Sequence, residues 1–393
     1  MKRLGYLVPA FPSQTHAFFW REAEALRAEG REILWLSTRR PAETDCPHAF
    51  AGEARDRTTY LFPPKGAALL ALLGRLYGLA AALRYVLGLT ETGIMGRLRL
   101  CALIPSAAWL AAISAREGLE HIHVHSCADA AHLVGLARRF GGPPFSLTLH
   151  GDLAVYGRDH GVKIAEAALV TVVSQPLVAQ IQAFDPARSV PVIPMGVDTE
   201  RFRPAPRRER AADSLHVVSI SRLNWIKGHR FALEAIASLG EAGQGITYAI
   251  AGDGEERGAI EAQIARLGLA ERVQVLGPIG EDAVIDLLHS ADAFALTSIG
   301  QGEATPVAVM ESMACGLPVI CSRIGGTPDM ITDAEDGYLV EQEYVSAIAE
   351  RLAALAADPA LRARLGAAAR ARAVGFFDFR ARARALGAAI DAA

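Results

Sequence analysis

No Cys-x-x-Cys pair occurs in the 393 residues, and the five cysteines (Cys46, Cys101, Cys127, Cys315, Cys321) are odd in number. That argues against a zinc site built on paired thiols and against a disulfide framework, and it fits reduced thiols in a cytosol. An excess of one charge is also missing. Forty Lys and Arg against 43 Asp and Glu leave a net charge of −3, so there is no overall basic footprint for nucleic acid. Without any Asp-x-Asp triplet, nothing suggests carboxylates bridging a divalent cation. Long apolar runs are absent too. The most apolar stretch, residues 67–89, is broken by Arg75, Arg84 and several glycines. It falls short of the roughly 18 uncharged apolar residues of a spanning helix. The start, MKRLGYLVPAFPSQ, has a short apolar run cut by Pro9 and Pro12, and reads as a first strand and not a signal peptide.

What remains is an ordinary globular composition, 51% apolar and 21% charged, at a length that favours two or three domains. Short apolar runs alternate with helix-like segments. Strands are expected at 4–8, 32–37, 58–62, 121–125, 145–149, 169–174 and 190–194, with helices at 16–29 and 129–140. Residues 38–57 read as irregular, and 65–118 as two or three Ala/Leu-rich helices. The stretch 194–210 is rich in Pro and charge and is the linker candidate. The alternation then restarts, with strands at 216–220, 247–250, 273–276, 293–297, 318–321 and 337–340, and terminal helices from Tyr344 onward. Two βα-repeating halves follow, with the ligand at strand carboxyl ends and the substrate cleft between the halves.

The chain's chemistry centres on Gly302–Pro318, GEATPVAVMESMACGLP. Thr305 suits an N-cap, Pro306 the first helical position, and Gly316 the C′ position. Such a helix start offers free N–H groups to a phosphate. Glu303 precedes the cap and Glu311 lies within the helix. A glycosidase acid pair would need carboxyls about 5–9.5 Å apart, and this spacing suggests a larger separation. Two hydroxyl-binding posts along one extended ligand fit better, the alternative being a capping acid and a salt-bridged Glu at the core edge. Arg222 and Lys227, between a strand and a helix, are either a diphosphate clamp or charges on a solvated loop. His150, in His150-Gly151-Asp152 at a strand's carboxyl end, could donate to a sugar hydroxyl or be structural. His121, His123 and His125 alternate along one strand face, and no spacing supports a metal, so a structural role is expected. The turn Ala251-Gly252-Asp253-Gly254 permits close backbone approach but is a weak signal alone. Lys65, Arg75, Arg84, Arg97 and Arg99 either make a basic apolar face for lipid or belong to helices packed on the sheet.

These motifs together resemble the family 4 retaining glycosyltransferases. Glu303-x7-Glu311 running into Ser312–Ile320 is similar to that family's signature. Ser221-Arg222-Leu223 with Lys227-Gly228 resembles its diphosphate segment, and Val275-Leu276-Gly277 the strand before the base-contacting loop. Ile193-Pro194, Gly196-Val197-Asp198 and Phe202 resemble the interdomain linker, with Met195 where Asn is usual. The start, Phe11–Phe18, resembles the loop of colanic-acid and exopolysaccharide-type enzymes, departing at Thr15, His16 and Ala17.

The resemblance implies an α/β fold of the GT-B class, two Rossmann-like domains facing across a cleft. Residues 1–195 would be the acceptor-binding domain and 196–374 the donor-binding domain, with a last helix within about 375–393 crossing back onto the first. It implies a metal-independent hexosyltransferase using a UDP- or GDP-sugar, with no cofactor, on a saccharide or lipid-linked acceptor in exopolysaccharide or glycolipid assembly. By the same carry-over, Arg222 and Lys227 hold the diphosphate, Glu311 the ribose, and Glu303 the sugar hydroxyls. Ala304, Thr305, Pro306 and Val307 meet sugar and phosphate, Gly277 and Ile279 lie near the base, and His150 lies near the donor sugar. Gln14, Thr15 and His16 form the loop of the first domain. The expected location is cytoplasmic, at the inner face of a membrane, with no nucleic-acid partner. Rival readings are a non-catalytic nucleotide-sugar-binding partner of an assembly complex, a sugar-nucleotide epimerase, and a glycogen-type polymerase.

Overall fold

A computed structural model describes every residue except Thr15, Pro47, 207–213 and 301–302. The residues divide into two compact units, Met1–Pro194 with Arg382–Ala393, and Met195–Ala381. The first unit holds β1 (Arg3–Ala10), β2 (Glu32–Arg39), β3 (Thr58–Tyr60), β4 (His121–Val124), β5 (Phe145–Leu149) and β6 (Leu169–Val172). Their order is β3-β2-β1-β4-β5-β6, and every pairing is parallel. The second unit holds β7 (Leu215–Ile220), β8 (Ile246–Ala251), β9 (Val273–Gly277), β10 (Ala293–Leu296), β11 (Val319–Ser322) and β12 (Tyr338–Val340). Its order is β12-β11-β10-β7-β8-β9, again all parallel.

Counted from each unit's own first strand, the two sheets share one order, that of the doubly wound dinucleotide-binding fold. Each reverses direction beside its first strand, between β1 and β4 and between β7 and β10. At such a reversal the crossovers leave to opposite faces, and a crevice opens at the strands' carboxyl ends. The strands are apolar because both sheet faces are covered by helices. Leu4, Tyr6, Leu7 and Val8 of β1 are all fully buried, as are Ala293 and Phe294 of β10.

Three expectations need correction. Residues 38–57 are not wholly irregular, since they carry a short 3-10 turn, Glu43–Asp45, and a helix, Ala51–Arg57. Ala51 and Ala54 bury one side of that helix while Arg57 pairs with Glu53 along it, a pattern too short to stand out as a period. The Ala/Leu-rich stretch makes four helices, Gly66–Leu73, Leu79–Leu87, Ile94–Ala102 and Ile104–Glu117. Gly74, Gly78, Gly88 and Gly93 fall at their boundaries. Residues 190–194 form no strand, only a bridge of Val192 to Val172, because Pro191 and Pro194 remove ladder donors.

Part of the linker candidate, 207–210, lies outside the described residues. Its earlier part is held in the second unit, where Val197 bridges Asp378 and a Cβ on Gly196 would overlap the Phe379 backbone. The last helix, Phe379–Asp391, is tied to the first unit near its end. There Asp391 accepts two hydrogen bonds from Arg31, at 2.6 and 3.0 Å, and lies 2.6 Å from the Met1 amine. The helical run Ile94–Glu117 is long and apolar enough to cross a membrane, but 56% of its apolar window is buried inside the first unit, as in a core helix.

Candidate active site

In the second unit, the loops after β7 and β10 meet at the sheet's reversal point. Arg222 and Lys227 lie on the first of them and Glu303 on the second. Glycines set the approach. Gly228 has φ +62°, and a Cβ there would overlap the Thr297 carbonyl. Thr297 Oγ1 donates to the Gly228 carbonyl at 2.9 Å, and Ile299 N–H donates to Ile226 O at 2.8 Å. Gly252 and Gly254, after β8, carry positive φ and leave no room for a Cβ against Ser221 and Leu223. The weak Gly-x-Gly signal therefore has a physical role: it lets the turn after β8 support the Arg222 loop from behind.

The result is a direct ion pair between Lys227 Nζ and Glu303 Oε1. Ser298 Oγ, fully buried in the loop just after β10, donates to the same oxygen at 2.9 Å. Glu303 is only 6% exposed. A carboxylate so withdrawn from water needs partners of this kind. Its backbone is fixed as well, since Gly326 N–H donates to Glu303 O at 3.1 Å, and Gly325, at φ +52°, packs where a Cβ would overlap that oxygen. Arg222 is exposed, and its guanidinium has no hydrogen bond or ion pair among the described residues.

The signature helix is Val307–Ala314, and its start differs from expectation. Pro306 occupies the cap position with extended backbone (φ −69°, ψ 114°), where its side chain makes no capping hydrogen bond, and Thr305 is buried one residue earlier. With the Glu303 carbonyl held by Gly326, the chain bends at Ala304 and Thr305 and is extended at Pro306, so the helix starts only at Val307. Gly302 lies outside the described residues. At the other end Gly316, at φ +75°, follows the cap residue Cys315 as expected. Glu311 is half-buried on the helix, close enough to Cys315 to help burial push that thiol up to about 12. Gly277 ends β9 at φ +77° and accepts from Gly252 N–H at 2.8 Å, and Ile279 is half-buried just beyond it.

In the first unit, His150 follows β5 at the end of a buried polar row that the sequence did not foretell. His150 Nε2 lies 3.0 Å from His125 Nδ1, and His125 Nε2 lies 3.3 Å from Glu22 Oε1 without hydrogen-bond alignment. Tyr6 donates to Glu22 Oε1 at 2.7 Å. Burial pushes the Glu22 carboxyl up to about 7 and the His150 imidazole down to about 3. Deeper in the sheet, Ser146 Oγ sits 2.8 Å from His121 Nε2 and 2.7 Å from His123 Nδ1, so those two histidines are structural, as expected. No cluster of metal-ligating residues occurs among the described residues. His16 packs on Phe11 and Phe19, and burial lowers its imidazole to about 4. Gln14 is exposed, its N–H donating to Asp45 O at 2.7 Å. Thr15 lies outside the described residues. Glu22 had one sequence signal. It sits three residues after Phe19 and four before Leu26, on the buried stripe of the helix Ala17–Ala28.

Twin parallel sheets of this order, with cations and a buried acid at the second reversal point, define an α/β protein of the GT-B class. The family profile described as "Glycosyltransferase Family 4" matches residues 17–201, and "Glycosyl transferases group 1" matches 203–372. A GDP-mannose-dependent alpha-(1-6)-phosphatidylinositol monomannoside mannosyltransferase of Mycolicibacterium smegmatis is 30% identical over 67% of this chain and 74% of its own length. A glycosyltransferase assigned to colanic acid biosynthesis in Escherichia coli is 35% identical over 43% of this chain, the match spanning only 42% of that relative. Among solved structures, Anabaena HepE in complex with UDP superposes with a TM-score of 0.73 at 18% identity, covering 100% of both chains. The chain belongs to the family 4 (group 1) glycosyltransferases.

Proposed function

We propose that this glycosyltransferase moves a sugar, with retention and without a bound metal, from a UDP- or GDP-sugar to an acceptor hydroxyl in exopolysaccharide or glycolipid assembly. The observation that carries this reading is the convergence of Lys227, Glu303 and Ser298 at the reversal point of the second sheet, with Arg222 exposed on the same loop as Lys227. In this reading the bond from the anomeric carbon to the diphosphate oxygen breaks, and its electron pair stays on the phosphate. Arg222 and Lys227 offset that charge, helped by N–H groups at the start of the helix Val307–Ala314. An ammonium has three donors, so Lys227 can hold Glu303 and a phosphate oxygen together. Glu303 and Glu311 accept from sugar and ribose hydroxyls. The acceptor oxygen attacks the same face, and its proton passes to the departing phosphate oxygen. Residues 1–195 serve the acceptor and 196–374 the donor.

The acceptor is read as lipid-linked, at the cytoplasmic face of a membrane. Support comes from the helices between 66 and 102, where Leu70, Leu73, Tyr77, Ile94 and Met95 are each 64–79% exposed. No Asp or Glu falls between Asp56 and Glu91, while Lys65, Arg75 and Arg84 do. Apolar side chains among basic ones suit an anionic bilayer surface. The mannosyltransferase relative acts on a phosphatidylinositol monomannoside, which is in keeping with this reading.

A panel of UDP- and GDP-sugars tests the donor. The true donor raises the melting temperature, since it binds only the folded chain. Proton NMR of the product's anomeric signal then tests retention. Inverted product would overturn the same-face route, and donor epimerised without any acceptor would overturn transfer.

A further inference from the structure

Glu22 is a nearly buried carboxyl that the transfer chemistry above does not use. Its side chain is 15% exposed, and its one hydrogen bond among the described residues comes from Tyr6. It faces His125, whose imidazole is fully buried between the rings of Tyr6 and Phe19, with centroids at 4.5 and 4.6 Å. His125 in turn meets His150, whose Nδ1 is buried with no partner among the described residues.

The 3.0 Å contact between His125 Nδ1 and His150 Nε2 needs one proton, and either ring can supply it. If His150 supplies it from Nε2, His125 carries its own proton on Nε2, 3.3 Å from a carboxylate at Glu22, and His150 Nδ1 is bare. If His125 supplies it from Nδ1, its bare Nε2 faces Glu22 and is tolerated only when Glu22 is a carboxylic acid. His150 then carries its proton on Nδ1. The two states differ by one proton on Glu22 and by the flipped tautomers of both rings. In neither is any imidazole charged.

We propose that Glu22, acting through His125, is the positioning residue that decides whether His150 presents a lone pair or an N–H at Nδ1. Proton balance is simple: a proton taken up at His150 Nδ1 releases the one on Nε2 to His125 Nδ1, which releases its own from Nε2 to Glu22. Burial disfavours imidazolium at both histidines, so the proton cannot rest on either, whereas the carboxyl is raised to about 7 and can hold it. The titratable groups facing the row are Tyr6 from β1, His16 from the loop before the helix Ala17–Ala28, His123 from β4, and Tyr156, whose oxygen accepts from the backbone N–H of His150. Phe18 and Phe19 pack against the His150 ring, with centroids at 5.5 and 5.2 Å. The inference deepens the reading of His150 as a residue near the donor sugar and rests on it for the effect on turnover alone.

The test is two-bond proton–nitrogen NMR on the full chain labelled with 15N-histidine, since a bare and a protonated Nδ1 have well-separated shifts. In the wild type His150 Nδ1 is expected bare at about pH 9 and protonated at about pH 5, with the midpoint near the Glu22 value of about 7. Glu22→Gln removes the transition. Tyr6→Phe, which keeps the ring and the carboxyl, moves the midpoint upward, because the hydroxyl no longer favours the carboxylate. A wild-type His150 fixed in one tautomer throughout, or an unchanged midpoint in Glu22→Gln or Tyr6→Phe, overturns the proposal. Turnover in the wild type follows the same midpoint with KM for the donor unchanged. A tautomer transition with flat turnover upholds the row and counts against a role for His150 in transfer.

Discussion

At the scale of single residues, the site depends on one ammonium facing one carboxylate. Lys227 and Glu303 are 76 residues apart in sequence, and their side chains are only 18% and 8% exposed. Removing one partner of so buried a pair leaves the other charged and unsolvated. Lys227→Ala is therefore expected to lower unfolding free energy by about 3 kcal/mol, measured by urea titration. Arg222→Ala, on an exposed side chain with no partner among the described residues, should leave stability within about 0.5 kcal/mol of wild type. Both should cut turnover by about a hundredfold or more, as expected when a charge-stabilising donor worth about 2.7–4 kcal/mol is lost. The contrast separates the two cations. Near-normal turnover in both variants would sink the diphosphate assignment. Both residues were legible in the sequence, because two cations on a strand-to-helix loop followed by Glu-x7-Glu form a recognisable set. Their mutual pairing was not, since no local pattern announces a contact between loops after different strands. Glu22 was missed for a related reason: it lies on a helix, and its meaning comes from His125, in the loop just after β4.

At the scale of elements, glycines decide how closely the site's loops approach. Gly325 sits at φ +52° with the Glu303 carbonyl where a Cβ would go. The obstacle is backbone and cannot rotate away. Gly325→Ala is expected to cost about 2 kcal/mol or more in denaturant titration, and to weaken donor binding in calorimetry by displacing Glu303. Wild-type affinity in a variant of lowered stability would show that this loop does not meet the donor. Elements were mostly legible, because buried parallel strands read as short apolar runs between helices. The errors fall where local chemistry was overruled. Thr305 looks like a cap, but Pro306 takes the cap position with extended backbone and the helix begins at Val307. Residues 190–194 look like a strand, but two prolines leave a single bridge.

For the molecule as a whole, histidine burial sets the response to acid. His16, His121, His132, His150 and His229 are lowered to about 3 or 4, His160 is lowered, and His123 and His125 lie well below the ordinary value. Groups depressed in the folded state stay neutral while the unfolded chain takes up protons. Their effect is absent above the unfolded value of 6.5 and removes stability as pH falls from there toward 4. One unit below 6.5, each locked imidazole removes up to roughly 1.4 kcal/mol. Glu22, raised to about 7, works the other way, its contribution being lost as pH rises through that value. Eight imidazoles outweigh one carboxyl. The urea midpoint should therefore drop sharply between pH 6.5 and pH 5, above the usual carboxylate range. An unchanged midpoint over that interval would mean the histidines are not locked. The exposed apolar helices give a second expectation at this scale. The chain should sediment with vesicles containing phosphatidylglycerol and not with pure phosphatidylcholine, and the double change Leu70→Glu with Leu73→Glu should abolish it. Equal sedimentation of variant and wild type would remove the bilayer from the proposed function.

The return of residues 382–393 to the first unit bears on how the chain is made. Residues 1–194 leave the ribosome before the second unit, yet their own unit lacks the helix that carries Asp391 until residues 195–381 have followed them. The second unit is one continuous segment and has all its strands by Val340. Vectorial synthesis thus inverts the order of completion. The unit begun first waits, with the face around Arg31 open, and the unit begun second closes before it.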